Sequence, residues 1–207
     1  MLVAHQWAGQ GDAERTAAEQ LAGLGYVGMA IDVYGKGRRG VPGGDNSALM
    51  DPFTADRAKL RQRLLAAVEA ARKHPAVDPD RIAVIGYCFG GLCALDLARA
   101  NAPGLRGAVS LHGVFSAPNI GPQPEIKASV LVLHGWEDPL APPADVLALA
   151  EELTAAKADW QIHAYGHAVH AFTNPNANAP ERGLAYNEKA ARRSWASVEA
   201  FLAEVFG

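Results

Sequence analysis

A strand that runs into Gly-x-Cys-x-Gly-Gly and then into a helix limits this chain more than any other feature. Arg81-Ile82-Ala83-Val84-Ile85 is an apolar run, Gly86-Tyr87-Cys88-Phe89-Gly90-Gly91 follows it, and Leu92, Ala94, Leu95, Leu97 and Ala98 continue with helical spacing. Where a strand and a helix pack this closely, a side chain two residues before or after the central one would collide with backbone, so glycines stand there. Such a turn, the nucleophile elbow, holds its central residue in a strained conformation with the reactive atom in view. The helix starts beside Cys88, and its first amides favour negative charge on sulfur and on a developing oxyanion. A glycine-rich turn around a buried cysteine fits the same residues, and the motif alone does not separate the two.

Strand and helix alternate along the whole chain. Residues 2–5 form a short apolar strand; residues 12–24 set Ala13, Ala17, Leu21 and Leu24 on one helical face, with Gly25 as the stop. A second strand is expected over 26–31. A glycine-rich, basic surface loop follows over 34–46; with its extension to Asp51 it reads as a flexible surface loop, with part of a substrate lid as the alternative. One helix is predicted over 54–74, with Leu60, Leu64, Val68 and Ala71 on the buried face and Pro75 as its end. Beyond the elbow come a strand at 105–111, a proline-rich loop at 117–124, a strand at 130–134, a helix at 144–156 and a strand at 160–165. An Asn/Pro loop leads to a final helix with Ala191, Trp195, Val198, Leu202 and Val205 on one side. Right-handed crossovers turn this order into a mostly parallel sheet with helices on both faces, in a single domain spanning 1–207.

Bulk properties exclude several classes. A net charge of −3 offers no electrostatic case for nucleic acid or an anionic membrane, and no stretch has transmembrane length or the shape of a signal peptide. Two cysteines rule out a disulfide framework, and Cys88 and Cys93 straddle the elbow and first helical turn, where a bridge is geometrically disfavoured. Free thiols point to a reducing, cytoplasmic compartment. Cys93 reads as a small hydrophobe within a helix.

Ligands on parallel sheets bind at the carboxyl ends of strands, and the reactive candidates gather there. His5-Gln6-Trp7 follows the first strand, Cys88 the elbow strand, His134 and Asp138 the 130–134 strand, and His167 and His170 the 160–165 strand. An isolated thiol, with a pKa of about 8.5, is mostly protonated at neutral pH and needs a base, which in turn needs an orienting acid. Cys88, Asp138 and His170 stand in the order nucleophile, acid, histidine. Other roles remain open. Asp138 also suits the opening of the next helix before Pro139, with Glu137 a solvated neighbour. His163, His167 and His170 together invite a zinc reading, although no His-Glu-x-x-His pattern is present. His163 lies in strand alternation and reads as structural, and His167 as a flank of the loop. His112, after another strand, either borders the cleft or satisfies a backbone carbonyl. Among Trp7, Phe53, Tyr87, Trp136 and Phe172, Trp7 and Trp136 are the candidates for a pocket lining.

Taken together, Leu2-Val3-Ala4-His5, Asp32-Val33-Tyr34-Gly35, Gly86-Tyr87-Cys88-Phe89-Gly90-Gly91, His134-Gly135-Trp136-Glu137-Asp138, His170-Ala171-Phe172 and Ala185-Tyr186-Asn187-Glu188 resemble the dienelactone hydrolase family over nearly the whole chain. The resemblance implies an α/β-hydrolase fold and a cysteine hydrolase without metal or cofactor. Cys88 would be nucleophile, His170 base then acid, Asp138 its orienting partner, and the amides of Trp7 and Phe89 the oxyanion hole. Gln6 stands where the family commonly has a glutamate that engages the cysteine. An amide can hydrogen-bond sulfur but cannot take its proton, so direct activation by His170 is expected. Lys36 and Asn174 stand where the dienelactone enzyme grips a carboxylate with arginines, which favours a less acidic ester or lactone. Arg38 and Arg39 either substitute for those arginines or form a solvated loop face. The resemblance begins inside a strand, without the family's preceding hairpin: either the start lies upstream of Met1, or the chain is short and the 26–31 strand is expected to present an open edge, in a monomer or weak dimer. The alternative to the enzyme is a hydrolase scaffold that binds a small molecule with a vestigial triad.

Overall fold

The computed structural model describes all 207 residues. Six strands form one sheet: β1 (Leu2–Ala4), β2 (Met29–Ala30), β3 (Ile82–Tyr87), β4 (Leu105–Leu111), β5 (Ser129–Gly135) and β6 (Trp160–Tyr165). Their order is β2-β1-β3-β4-β5-β6, and every neighbouring pair is parallel. The order reverses between β1 and β3, and the crevice at such a reversal is where an open parallel sheet offers a ligand site.

Alternation within the strands divides the core into two layers. Ile82 and Val84 of β3, with Val130 and Val132 of β5, face α3 (Arg57–Arg72), α4 (Phe89–Arg99) and α5 (Pro143–Ala155), which contribute Leu60, Leu64, Leu92, Leu95 and Leu149. Ala83, Ile85, Leu131 and Leu133 face the other way, onto Leu21 of α1 (Asp12–Gly23) and Val198, Phe201 and Leu202 of α6 (Glu188–Phe206). Strands buried on both faces explain the unbroken apolar runs in the sequence. No helix is long and apolar enough to cross a membrane.

Three elements differ from the sequence-based expectation. The helix expected over 54–74 is α3, which the Asp56 carboxylate opens by accepting the Lys59 N–H at 2.9 Å, and a separate helix, α2 (Ser47–Thr54), occupies the end of the segment read as a loop to Asp51. The strand expected over 26–31 shrinks to β2, at the sheet edge, although the amides of Met29 and Ile31 still bond the carbonyls of Met1 and Val3 at 2.9 Å. Within the Asn/Pro loop lies an antiparallel hairpin, β7 (Asn178–Ala179) and β8 (Leu184–Ala185), closed by left-handed Gly183.

A buried ionic cluster, spanning residues that carry no apolar periodicity, joins the helices on one face. Arg57 donates to Asp96 through Nε at 2.9 Å, and Arg99 donates to Asp96 at 3.2 Å and to Glu152 at 2.7 Å. The same guanidinium groups reach the backbone after β4, at the carbonyls of Phe115 (2.8 Å) and Ser116 (3.1 Å). Every charge in the cluster is thus paired, the condition under which buried ions are tolerated.

Candidate active site

Cys88 sits between β3 and α4 with φ +56°, a backbone region that a non-glycine residue enters only when its surroundings compel it. The compulsion comes from packing. A Cβ on Gly86 would lie 1.9 Å from the Gly90 carbonyl oxygen, and one on Gly90 would lie 2.2 Å from that of Ala4. The Cys88 N–H is anchored to Leu111 O at 3.1 Å, its carbonyl accepts the Gly91 and Leu92 amides, and its side chain remains part-exposed. This is the elbow the glycine spacing predicts, and not a turn around a buried thiol.

Asp138 and His170 are both buried and meet at 2.7 Å, His170 Nδ1 to Asp138 Oδ2. The other carboxylate oxygen accepts the Leu140 N–H at 2.8 Å. Asp138 therefore bonds both the imidazole and the turn after β5, but it does not open the next helix, which begins at Pro143 with Pro142 at its N-cap. The hairpin β7–β8, absent from the sequence-based expectation, holds the histidine by its backbone: the His170 N–H bonds Gly183 O at 3.0 Å, and the Ala185 N–H bonds His170 O at 3.2 Å. Gly183 presses on Pro139, where an added Cβ would lie 2.2 Å from the proline ring. One hairpin thus braces the histidine and carboxylate loops together.

With Nδ1 committed to Asp138, His170 Nε2 is buried and has no hydrogen-bond partner of ordinary geometry. Burial works against a charge on this ring. Interaction with the Cys88 sulfur and the hydrogen bond to Asp138 outweigh it, and the His170 pKa is pushed up to about 10.

Two further histidines line the back of this arrangement. His112 packs edge-on to His170, with ring centres 5.2 Å apart, and its Nε2 meets Thr173 Oγ1 at 2.8 Å, so it borders the site and satisfies a side chain instead of a carbonyl. His134 is fully buried inside β5 against Phe115 and is not a rim residue. Burial drives His112 well below the ordinary histidine range and lowers His134, so both stay neutral.

The remaining candidates separate clearly. The Trp7 N–H meets no acceptor in the protein, and Phe89 contributes the first amide of α4, which has no intrahelical partner. The Gln6 side chain makes no hydrogen bond; its backbone does the work, through its N–H to Glu14 and its carbonyl to His5. Lys36 is exposed and unpaired, whereas Arg39 is committed to Asp32 at 3.0 Å. Trp136 is part-exposed at the end of β5, while Phe53 and Phe172 are core. His167 is almost fully exposed and meets Glu137 at 3.0 Å, and His163 bonds Ser197 at 3.1 Å, so neither joins His170. Glu14, buried behind the β1 loop, was not among the sequence candidates. Its signal was a glutamate three residues after the helix-opening Gly11.

The model of the Dienelactone hydrolase family matches residues 1–206. The chain belongs to this family. Relatives include an uncharacterised Caenorhabditis elegans protein, 38% identical over 158 residues, a match spanning 74% of this chain and 99% of that one. A Synechocystis protein whose name proposes carboxymethylenebutenolidase activity is 26% identical over 89% of this chain and 77% of its own. Among solved structures, the dienelactone hydrolase-like promiscuous phosphotriesterase P91, from metagenomic libraries, superposes with a TM-score of 0.92 at 36% identity, covering all of this chain and 86% of that one. As a dienelactone hydrolase-family member with the α/β-hydrolase fold, the chain is a hydrolase of ester or lactone bonds.

Proposed function

We propose that this dienelactone hydrolase-family member uses Cys88, His170 and Asp138 to cleave small, uncharged carboxylic esters and lactones through an acyl-enzyme. The observation that carries this is the buried 2.7 Å contact between His170 and Asp138, which leaves Nε2 free beside an elbow cysteine. Asp138 holds the proton of Nδ1 and stabilises the imidazolium that forms when Nε2 takes the proton of the Cys88 thiol. The sulfur attacks the carbonyl carbon, and the π pair moves to oxygen, which is received by the amides of Trp7 and Phe89. Collapse expels the alkoxide, which takes the proton from His170 Nε2. His170 then removes a proton from water as that water attacks the thioester, and the thiolate departs. Thiolate leaves easily, so the acyl-enzyme forms well from reactive esters and poorly from amides.

Charge around the site points to uncharged substrates. Lys36 is a flexible point charge held by nothing, Asn174 is neutral, and Arg39 is occupied by Asp32, so no pre-set guanidinium fork awaits a carboxylate. The test is a panel of p-nitrophenyl acetate, a neutral six-membered lactone, an anionic dienelactone and a neutral aryl phosphotriester, the last because P91 is named for that activity. Turnover of the neutral ester and lactone, abolished by one equivalent of iodoacetamide, is the expected result. Saturable binding without turnover across the panel would favour the alternative, a scaffold that binds a small molecule and does not cleave it.

A further inference from the structure

We propose that His5 is a positioning residue for the oxyanion hole: held in one neutral tautomer, it turns the Gln6–Trp7 peptide so that the Trp7 N–H faces the substrate. This rests on the nucleophile and oxyanion assignments above. His5 is fully buried at the end of β1. Its Nε2 lies 3.1 Å from the amide nitrogen of Val33. A backbone N–H can only donate, so Nε2 must offer a lone pair, and the proton of the neutral ring must sit on Nδ1. Nδ1 lies 2.7 Å from the Gln6 carbonyl oxygen and donates to it, while the Gly9 N–H donates to the same oxygen at 3.1 Å.

The consequence follows from peptide geometry. In a planar trans peptide the C=O and N–H point in opposite directions, and this chain has no cis bond. Holding the Gln6 carbonyl on the His5 side therefore aims the Trp7 N–H the other way, where it has no protein acceptor. The rest of the loop is tied down around it. Tyr34 Oη donates to Trp7 O at 3.0 Å, the Gly40 N–H to Ala8 O at 2.8 Å, and the Gly11 N–H to the buried Glu14 carboxylate at 2.8 Å. The His5 ring is itself packed edge-on to Tyr34, centres 4.5 Å apart, and lies beside Phe89 at 5.9 Å. Burial lowers the His5 pKa against the opposing pull of the Gln6 carbonyl, Glu14 and Asp32, so the ring holds its neutral form. A donor set in place before reaction stabilises an oxyanion without reorganisation, which is the source of its catalytic value. Without His5, the Gln6 carbonyl keeps only the weaker Gly9 N–H bond at 3.1 Å, and the Gln6–Trp7 peptide loses the contact that fixes the direction of its N–H.

The experiment compares two reactions of Cys88 in the full chain. Acylation by p-nitrophenyl acetate, followed by its burst, develops negative charge on the carbonyl oxygen. Alkylation by iodoacetamide forms an S–C bond as iodide leaves with the C–I electron pair, and no oxyanion develops. His5→Phe keeps a ring in the packing and removes both hydrogen bonds. It is expected to slow acylation about a hundredfold, the scale of a lost oxyanion donor, while alkylation changes by less than about threefold. His5→Asn, which returns an N–H near the Nδ1 position, is expected to recover about tenfold of that loss. Equal losses in the two rates, unchanged acylation in His5→Phe, or no recovery in His5→Asn would each overturn the proposal. If the unaltered chain itself forms no acyl adduct at Cys88, the nucleophile assignment falls first, and the proposal with it.

Discussion

Replacing Cys88 with alanine is expected to lower turnover of p-nitrophenyl acetate by at least about 10⁴-fold, since loss of one member of such a unit removes nearly all its effect. The fold should survive, because the side chain is part-exposed and the elbow is shaped by the glycines and by the backbone bonds to Leu111, Gly91 and Leu92. The same substitution should register on His170. With the sulfur gone, burial is opposed only by Asp138, and the pKa should fall clearly below the value of about 10. A pKa raised in the folded chain means that the fold prefers the charged ring. That stabilisation is complete below the ordinary histidine value of about 6.5 and is lost as pH rises through the folded value. Titration of the His170 ring by NMR, in the wild type and in Cys88→Ala, measures the shift. Retained activity with an unmoved His170 titration would mean that sulfur and imidazole do not act together.

The second large effect lies away from the chemistry. Asp96→Ala should destabilise the fold by about 3–5 kcal/mol, the cost of leaving buried charges without a partner. Asp96 is the shared acceptor of Arg57 and Arg99, all three are buried, and Arg99 retains only Glu152 as a counter-ion. The loss is larger than that of a surface ion pair, about 0–1 kcal/mol, because water cannot solvate the freed guanidinium of Arg57. Urea unfolding by circular dichroism measures it, and a change below about 1 kcal/mol would show that the cluster is hydrated or dispensable. Since both arginines also hold the carbonyls after β4, increased proteolysis of the proline-rich loop should accompany the loss of stability.

The fold was legible where side-chain pattern dictates it. Ile82–Ile85 and Val130–Leu133 are apolar on both sides because both sides are covered, and the glycines around Cys88 are required by contacts of about 2 Å. Asp138 and His170 were reachable because each stands on a loop at a strand's carboxyl end, in the right order. What escaped depends on backbone polarity and on partners far apart in sequence. The hairpin β7–β8 has two-residue strands, too short to show alternation, yet it supplies both backbone bonds to His170. Asp56 opens α3 through a single side-chain bond, which periodicity does not see. The role of His5 needs the Val33 amide, 28 residues away, to decide its tautomer. Gln6, read as a contact for the thiol, serves through its main chain instead.

The most direct measurement is intact-protein mass spectrometry of a reaction with p-nitrophenyl acetate, quenched in acid within the burst, followed by peptide mapping. One acetyl group on the peptide that carries Cys88, appearing with the burst and decaying with turnover, is the predicted result. Steady hydrolysis with no acetyl on Cys88 at any time, or with the label on another residue, would contradict it.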